Sequence, residues 1–304
     1  MLAIRDNVPA IAIQNLSKSY GAIEAVRGIS FDVDRGQVFG FLGLNGAGKT
    51  TTIRILLDLL RPSRGSAKLF GFDCQSQSIE ARTLVGYLPG ELGLYPDMTG
   101  DELLALTARL SGAAVDVEYR LRLLDRLELA RTDLERQLRE YSTGMKRKLG
   151  LLQALQADPP LVILDEPTEG LDPLVQDALH EILFELRNRG RTVFMSSHVL
   201  SEVERLCDWI AVIRKGAIVL LSTVEEARRR TGRTVRIFFN GNVPPMAMPR
   251  GMSIMTANPA DWTLRIEGEI GELIPFLGSL PVRDMEITEP ALEDVLRSFY
   301  REES

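Results

Sequence analysis
Gly43-Leu44-Asn45-Gly46-Ala47-Gly48-Lys49-Thr50-Thr51 follows the apolar run Val38-Phe39-Gly40-Phe41-Leu42 and opens a helix with apolar positions Ile53, Leu56, Leu57 and Leu60. Glycines let successive backbone N–H groups turn inward with no Cβ in the way, and a helix N-terminus adds roughly half a positive charge at the same point. The order strand, glycine loop, helix therefore predicts a phosphate cradle. In it Lys49 reaches the β- and γ-phosphates of a nucleotide and the Thr50 hydroxyl ligates Mg²⁺. A glycine-rich turn with no ligand is the plainer alternative; the strand, the spacing, the Lys-Thr pair and the helix together count against it.

A second motif narrows the chemistry. Leu161-Val162-Ile163-Leu164-Asp165-Glu166-Pro167 reads as a buried strand that ends in two acids, with Pro167 stopping the ladder. Asp165 is placed to hold the metal's water shell, and Glu166 to polarise an attacking water. Alone, two acids at a strand end equally describe a solvated turn. Downstream of a phosphate cradle they gain a metal and a phosphate to act on.

Between the two lies Tyr141-Ser142-Thr143-Gly144-Met145-Lys146-Arg147-Lys148-Leu149, followed by the apolar helical positions Leu151, Leu152 and Leu155. Read by itself, Ser142 is an ordinary helix N-cap. The run resembles the signature sequence of the ABC ATPases. There a serine hydroxyl, a glycine N–H and a helix N-terminus close over the γ-phosphate held by the other subunit. Ser142 and Gly144 match that pattern, while Thr143 and Met145 depart from its commonest form, as in many members of the multidrug-exporter branch.

The other markers of the family follow in order. Tyr20, in Lys18-Ser19-Tyr20-Gly21, matches the aromatic that stacks on adenine; taken alone it is a strand-end packing residue. Glu169-Gly170-Leu171-Asp172 resembles the loop that crosses the dimer interface, with Asp172 as its acid. Ser196-Ser197-His198, after Val193-Phe194-Met195, matches the switch histidine that touches the γ-phosphate, and His198 is one of only two histidines in the chain. One marker is altered. The family places Gln or Glu after a Gly-Tyr-Leu-Pro run to sense Mg²⁺ and γ-phosphate, whereas this chain reads Gly86-Tyr87-Leu88-Pro89-Gly90-Glu91. Glu91 is the candidate substitute as a metal-side ligand, with the metal between its charge and the phosphate; otherwise it is a solvent-exposed loop acid.

Composition bounds the rest. With 304 residues, 45% hydrophobic content and a net charge of −6, the chain suits one large and one smaller domain, and its acidic balance argues against a nucleic-acid partner. Arg228-Arg229-Arg230 reads as a solvated helix face or linker more readily than a lipid contact. The two cysteines, Cys74 and Cys207, lack metal spacing and suit reduced thiols. No run of about 20 apolar residues and no signal-peptide pattern is present, so a separate polytopic permease is expected to supply any channel. Trp209 to Leu221, broken by Arg214-Lys215-Gly216, reads as a hairpin.

The expected fold is α/β. An antiparallel region (Ile11 to Ile13, Phe31 to Val33) precedes the cradle strand, and amphipathic helices (Glu102 to Leu110, Glu118 to Leu129) follow it. Then come further strands (Leu161 to Leu164, Thr192 to Met195, Ile210 to Ile213) alternating with helices near Pro173 and Val199. A boundary near Glu225 separates residues 1–225 from a small α+β unit over residues 226–304. Its strands are expected at Thr234 to Phe239, Trp262 to Ile266 and Val282 to Ile287, and its helices at Glu272 to Leu277 and Ala291 to Tyr300. The ending Glu289-Pro290-Ala291-Leu292-Glu293-Asp294-Val295-Leu296 resembles the tail of drug- and antibiotic-exporter ATPase subunits.

The resemblance covers nearly the whole chain. It implies an ATP-binding and Mg²⁺-dependent ATPase subunit, peripheral on the cytoplasmic face of the membrane, that works as a head-to-tail homodimer or as a heterodimer with a related subunit. In the nucleotide sandwich Gly43 to Thr51 and Tyr20 bind ATP from one subunit, while Ser142, Thr143, Gly144 and Asp172 close from the other. Lys49, Glu166 and His198 carry the chemistry, and Thr50, Asp165 and Glu91 face the metal. Export of drug-like, antibiotic or lipid-like molecules rests on the resemblance alone. A soluble ATPase of the same type acting on ribosomes or DNA, or a nucleotide-dependent regulatory binder, are the alternatives. Second P-loop domains and heptad insertions, usual in the ribosomal and chromosomal relatives, are missing here.

Overall fold
The computed structural model describes residues 7–112, 114–244, 246–266, 271 and 273–288, with the backbone alone for Arg230 and Thr231. The chain divides into two compact units, residues 1–221 and 222–304. In chain order the first half runs β1 (Ile11–Tyr20), β2 (Ile23–Val33), β3 (Val38–Leu42), α1 (Lys49–Leu56), β4 (Arg64–Leu69), β5 (Phe72–Asp73), α2 (Ser78–Thr83), β6 (Val85–Leu88), α3 (Gly100–Ser111), α4 (Val117–Arg126), α5 (Arg131–Leu134) and α6 (Thr143–Leu155). It continues through β7 (Leu161–Asp165), α7 (Pro173–Asn188), β8 (Thr192–Ser197), α8 (Leu200–Leu206), β9 (Trp209–Arg214) and β10 (Ala217–Thr223). The second unit holds α9 (Val224–Thr231), β11 (Arg233–Phe239), β12 (Met252–Ala257), β13 (Asp261–Ile266), α10 (Leu273–Gly278) and β14 (Val282–Thr288).

Two sheets build the first unit. One is antiparallel, in the order β2-β1-β4-β5, and the other runs β10-β9-β3-β8-β7-β6. From β9 to β6 the second sheet is parallel, and β3, β7 and β8 are buried along their whole length, which is why they read as continuous apolar runs. Phe31 of β2 stacks on Phe39 of β3 with ring centroids 5.4 Å apart, and Phe39 stacks on Phe194 of β8 at 5.7 Å. This aromatic column, with Ile53 and Leu56 of α1 in the same core, welds the antiparallel sheet to the parallel one. Each ring so buried contributes about 1.5–3 kcal/mol. At the far edge Lys215 (φ +47°) and Gly216 (φ +81°) are both left-handed, the conformation a two-residue hairpin turn requires, so Trp209 to Leu221 is the expected hairpin.

Helices of the middle segment are capped by their own sequence. Thr99 and Glu102 form a reciprocal capping box on α3, and Asp116 caps α4 through the Glu118 and Tyr119 amides. Ser142 caps α6, and Asp172 caps α7 with Pro173 in its first turn.

The second unit is a four-stranded antiparallel sheet, β12-β13-β11-β14, packed with α10. Its core is Val235, Ile237, Phe239, Trp262, Leu264, Ile266 and Leu273, with Phe239 edge-on to Trp262 at 5.0 Å. The basic run begins on α9, where Arg229 pairs with Glu225 one turn away. The exporter-like tail and the helix expected at Ala291 to Tyr300 lie outside the described residues.

Several boundaries differ from the sequence-based expectation. Helix α1 stops at Leu56, so Leu57 and Leu60 enter the core from the turn after it. Helix α4 stops at Arg126, and Glu128 adopts a left-handed φ of +51° that ends the helical path. Strands β4, β5, β6 and β12 are additional to those expected from the sequence. β4 reads Arg-Gly-Ser-Ala-Lys-Leu, with little of the β-branched and aromatic content that marks a strand, and owes its conformation to pairing with β1.

His180 of α7 is buried and neither ring nitrogen has a hydrogen-bond partner among the described residues; the nearest carboxylate oxygen, on Asp177, is 3.9 Å away. Burial first, and then the positive Arg205, push its pKa below the ordinary histidine value. The unfolded chain therefore takes up a proton more readily than the folded one, and this contribution to stability is lost as pH falls through the unfolded value of about 6.5. His180→Leu should flatten the fall in the urea midpoint between pH 7 and pH 5; an unchanged slope would remove His180 from the acid response.

Candidate active site
The loop from Gly43 to Gly48 leaves the carboxyl end of β3 and is walled from behind by backbone. A Cβ on Gly43 would lie 2.4 Å from the Ile213 carbonyl oxygen, and one on Gly48 would lie 2.5 Å from that of Ala25. Gly48 also has φ +116°, a conformation only glycine adopts without strain. The hairpin turn after β9 supports the loop, because the Gly216 amide donates to the Ala47 carbonyl at 3.0 Å. Leu44, Asn45 and Gly46 face solvent, while Ala47, Gly48 and Lys49 are buried at the mouth of α1.

Three strand ends deliver side chains to this mouth. Parallel register pairs Leu42 with Ser197 and Asp165 with Ser196, so β3, β8 and β7 finish level with one another. The Thr50 hydroxyl donates to Asp165 Oδ2 at 3.0 Å, and the Ser196 hydroxyl donates to Asp165 Oδ1. Lys49 Nζ donates to the Gly43 carbonyl at 2.6 Å and lies 3.2 Å from Glu166 Oε1. The other Glu166 oxygen, Oε2, is 2.8 Å from His198 Nδ1 and accepts the His198 amide at 3.3 Å. Lys49, Thr50, Asp165, Glu166 and His198, distant in sequence, thus form one contiguous polar cluster. Tyr87 lies nearby, its hydroxyl pushed up to about 12 by burial and by the Asp165 charge.

The cluster's oxygen chemistry fits Mg²⁺. Thr50 and Asp165 supply a hydroxyl and a single carboxylate, and among the described residues no group of three or more His, Cys, Asp or Glu forms a cage of its own. A hard cation that keeps several waters and shares phosphate oxygens needs no more than that. Glu91 is less favourably placed than expected. It is exposed and has no hydrogen-bond or ion-pair partner among the described residues, and it is the Gly90 backbone that approaches Asp165, with a Cβ there only 3.3 Å from Asp165 Oδ2.

Ser142 and Thr143 are exposed at the start of α6, with the Ser142 hydroxyl accepting the Met145 amide at 3.2 Å. A Cβ on Gly144 would stand 3.3 Å from the Gly170 carbonyl, so this turn rests on the loop that leads from Glu166 to Asp172. Asp172 accepts the Val175 amide at 3.1 Å and faces Lys148 of α6 at 3.5 Å, contacts that hold its carboxyl below the usual range. Tyr20 is half exposed at the end of β1, with the Lys18 ammonium 5.2 Å from its ring centre.

Two buried charged residues near the cluster were not singled out from sequence. Glu202 of α8 lies 3.4 Å from the Ser197 hydroxyl, and burial raises its pKa. Arg147 of α6 reaches under the end of β7, where burial lowers its pKa. Burial was the missing signal in both: each sits in a charged helical stretch that reads as solvated.

A family model described as "ABC transporter" matches residues 26–169. An uncharacterised ABC transporter ATP-binding protein of Nostoc, all4389, is 42% identical over 207 residues, which are 67% of this chain and 61% of that protein's own length. The Nod factor export ATP-binding protein I of Burkholderia orbicola is 40% identical over 212 residues, 69% of each chain. A solved ATP-binding subunit of an ABC transporter superposes with a TM-score of 0.67 at 33% identity, covering 73% of this chain and 92% of that one. The chain belongs to the ATP-binding proteins of ABC transporters, a family of ATPases.

Since Gly48 meets both a backbone wall and a positive φ while Gly46 (φ +80°) has open space around it, the two should respond differently to alanine. Gly48→Ala should destabilise the protein by about 1–3 kcal/mol more than Gly46→Ala and weaken ATP-analogue binding more strongly. Urea titration and equilibrium binding would check it, and equal effects would contradict the packing described.

Proposed function
We propose that this chain is the ATP-hydrolysing motor of an ABC exporter. It would sit on the cytoplasmic face of the membrane, held there by a separate polytopic permease, and work as a head-to-tail dimer. The observation that carries the reading is the convergence of Lys49, Thr50, Asp165, Glu166 and His198 at the level ends of three parallel strands. Lys49 and the loop amides bind the β- and γ-phosphates, Glu166 orients the attacking water, and His198 holds the far side of Glu166 and of the γ-phosphate. Thr50 and Asp165 would hold Mg²⁺, which supplies charge stabilisation on the phosphates.

The dimer is supported by what the site leaves open. Leu44, Asn45 and Gly46 are exposed on one edge, and Ser142 and Thr143 are exposed on another. Two copies facing each other would place one subunit's Ser142-Thr143-Gly144 over the other's loop, and Tyr20 would stack on adenine. Such contacts exist only in the closed pair, which gives ATP the differential affinity that drives a conformational cycle. No helix among the described residues is long and apolar enough to cross a membrane, in keeping with a channel supplied by another chain. The permease contact would lie where the Gly90-Glu91 loop meets the helical segment, lined by Leu92, Leu94, Tyr95 and Met98; Tyr95 is exposed and the other three are half-buried, Leu92 beside Gly150 of α6. Cargo that is drug-like, antibiotic or lipid-like is supported by the sequence resemblance and by the name of the Nod factor export relative.

Glu166→Gln should bind ATP with near-normal affinity and lose at least about a hundredfold in steady-state turnover. Solubilised from its own membranes, the wild-type chain should bring down a polytopic partner. Unchanged phosphate release by the variant would remove Glu166 from its role, and recovery of ribosomes or DNA instead of a permease would overturn the transport reading.

A further inference from the structure
We propose that Arg147 is a positioning residue for Glu166, fixing the backbone from which that carboxylate is launched and tying it to the Gly90 loop and to helix α6. The proposal rests on the assignment of Glu166 to the attacking water. Arg147 is 4% exposed, and its hydrogen bonds all go to backbone carbonyls. Nη1 donates to Pro89 at 2.7 Å and Gly90 at 3.1 Å, Nη2 donates to Asp165 at 2.7 Å and to Glu166, and Nε donates to Pro167 at 3.4 Å. A guanidinium has five N–H donors in a rigid planar fork, and here each has an acceptor.

Those five carbonyls belong to two segments that carry site residues, and Arg147 itself belongs to a third. Glu166 has φ +51°, a left-handed conformation that a non-glycine residue keeps only where its surroundings over-determine it. Its amide donates to the Ser196 carbonyl at 3.2 Å and to the Ser196 hydroxyl at 3.1 Å, and Arg147 takes its carbonyl. Both peptide groups flanking the Glu166 side chain are therefore clamped, one from β8 and one from α6. The carboxylate reaches Lys49 and His198 from that fixed base. Ser142 caps α6 and Gly144 lies in its first turn, so the guanidinium is also a short mechanical link between that helix start and Glu166. Lysine cannot reproduce the link, because an ammonium carries only three donors, all on a single nitrogen, and cannot span the five carbonyls.

The test compares Arg147→Lys with wild type in the full chain, in the Glu166 and the Glu166→Gln backgrounds. It reads the urea midpoint, the dissociation constant of a fluorescent ATP analogue, kcat and KM. Arg147→Lys should bind the analogue within about threefold of wild type and lose roughly 10- to 100-fold in kcat, the scale of a small misplacement of a reacting group. In the Glu166→Gln background the same change should lower the residual rate no further, because the two act through one group. Wild-type kcat in Arg147→Lys, a loss explained by weakened binding alone, or full additivity with Glu166→Gln would overturn the proposal. Near-normal turnover by Glu166→Gln would instead refute the Glu166 assignment beneath it. If Arg147→Lys does not fold, Arg147→Ala with added guanidinium carries the test: recovered kcat supports the link, and recovered folding without turnover contradicts it.

Discussion
The Asp165 carboxylate is the tie on which the site depends: one oxygen accepts the Thr50 hydroxyl and the other the Ser196 hydroxyl. Those three residues stand on α1, β7 and β8, so a single side chain locks the phosphate loop to the two strands that deliver Glu166 and His198. The tie forms because β3, β8 and β7 are parallel neighbours in register, and all their carboxyl ends open to the same side. In an open α/β sheet that edge is where a ligand binds. Burial of the strands makes the geometry stiff, and the aromatic column of Phe31, Phe39 and Phe194 braces it against the antiparallel sheet.

Around this tie the backbone does much of the work that side chains do elsewhere. Gly43 and Gly48 let the loop sit directly against the carbonyls of Ile213 and Ala25. Gly90 lets the chain pass beside Asp165 where the family places a longer polar residue, and its carbonyl is taken by Arg147. A charge buried among carbonyl dipoles is stabilised only while all of them stay in place, so the network is cooperative. Glu91, one residue on, faces solvent and leaves that geometry unaltered.

The parts of the fold legible in the sequence are those whose residues leave little choice. Val38 to Leu42 and Leu161 to Asp165 are apolar runs stopped by glycine or by acids, and each is a buried parallel strand. Ser142 announces a helix start by its capping chemistry, and α6 begins one residue after it. By contrast β4 and β6 are set by their neighbours, since Gly86 in β6 is needed because any Cβ would meet the Ala154 carbonyl at 1.9 Å, a contact no local pattern reveals. Arg147 and Glu202 escaped for a related reason: a charged helical residue is exposed unless the tertiary fold buries it, and only the fold says which acceptors it meets. The order of strand, glycine loop and helix from Val38 to Leu56 was readable from spacing alone, and the fold has that order.

The proposed ATP site has two exposed edges, Leu44 to Gly46 on one and Ser142 with Thr143 on the other, and a head-to-tail dimer would need a second copy to close them. Sedimentation velocity of Glu166→Gln with and without Mg-ATP is the most direct measurement. Under a head-to-tail dimer the protein should be monomeric without nucleotide and dimeric with it, and should lose that dimer when Ser142 is replaced by a bulky residue. A monomer at saturating ATP, or a dimer indifferent to both ATP and Ser142, would contradict it.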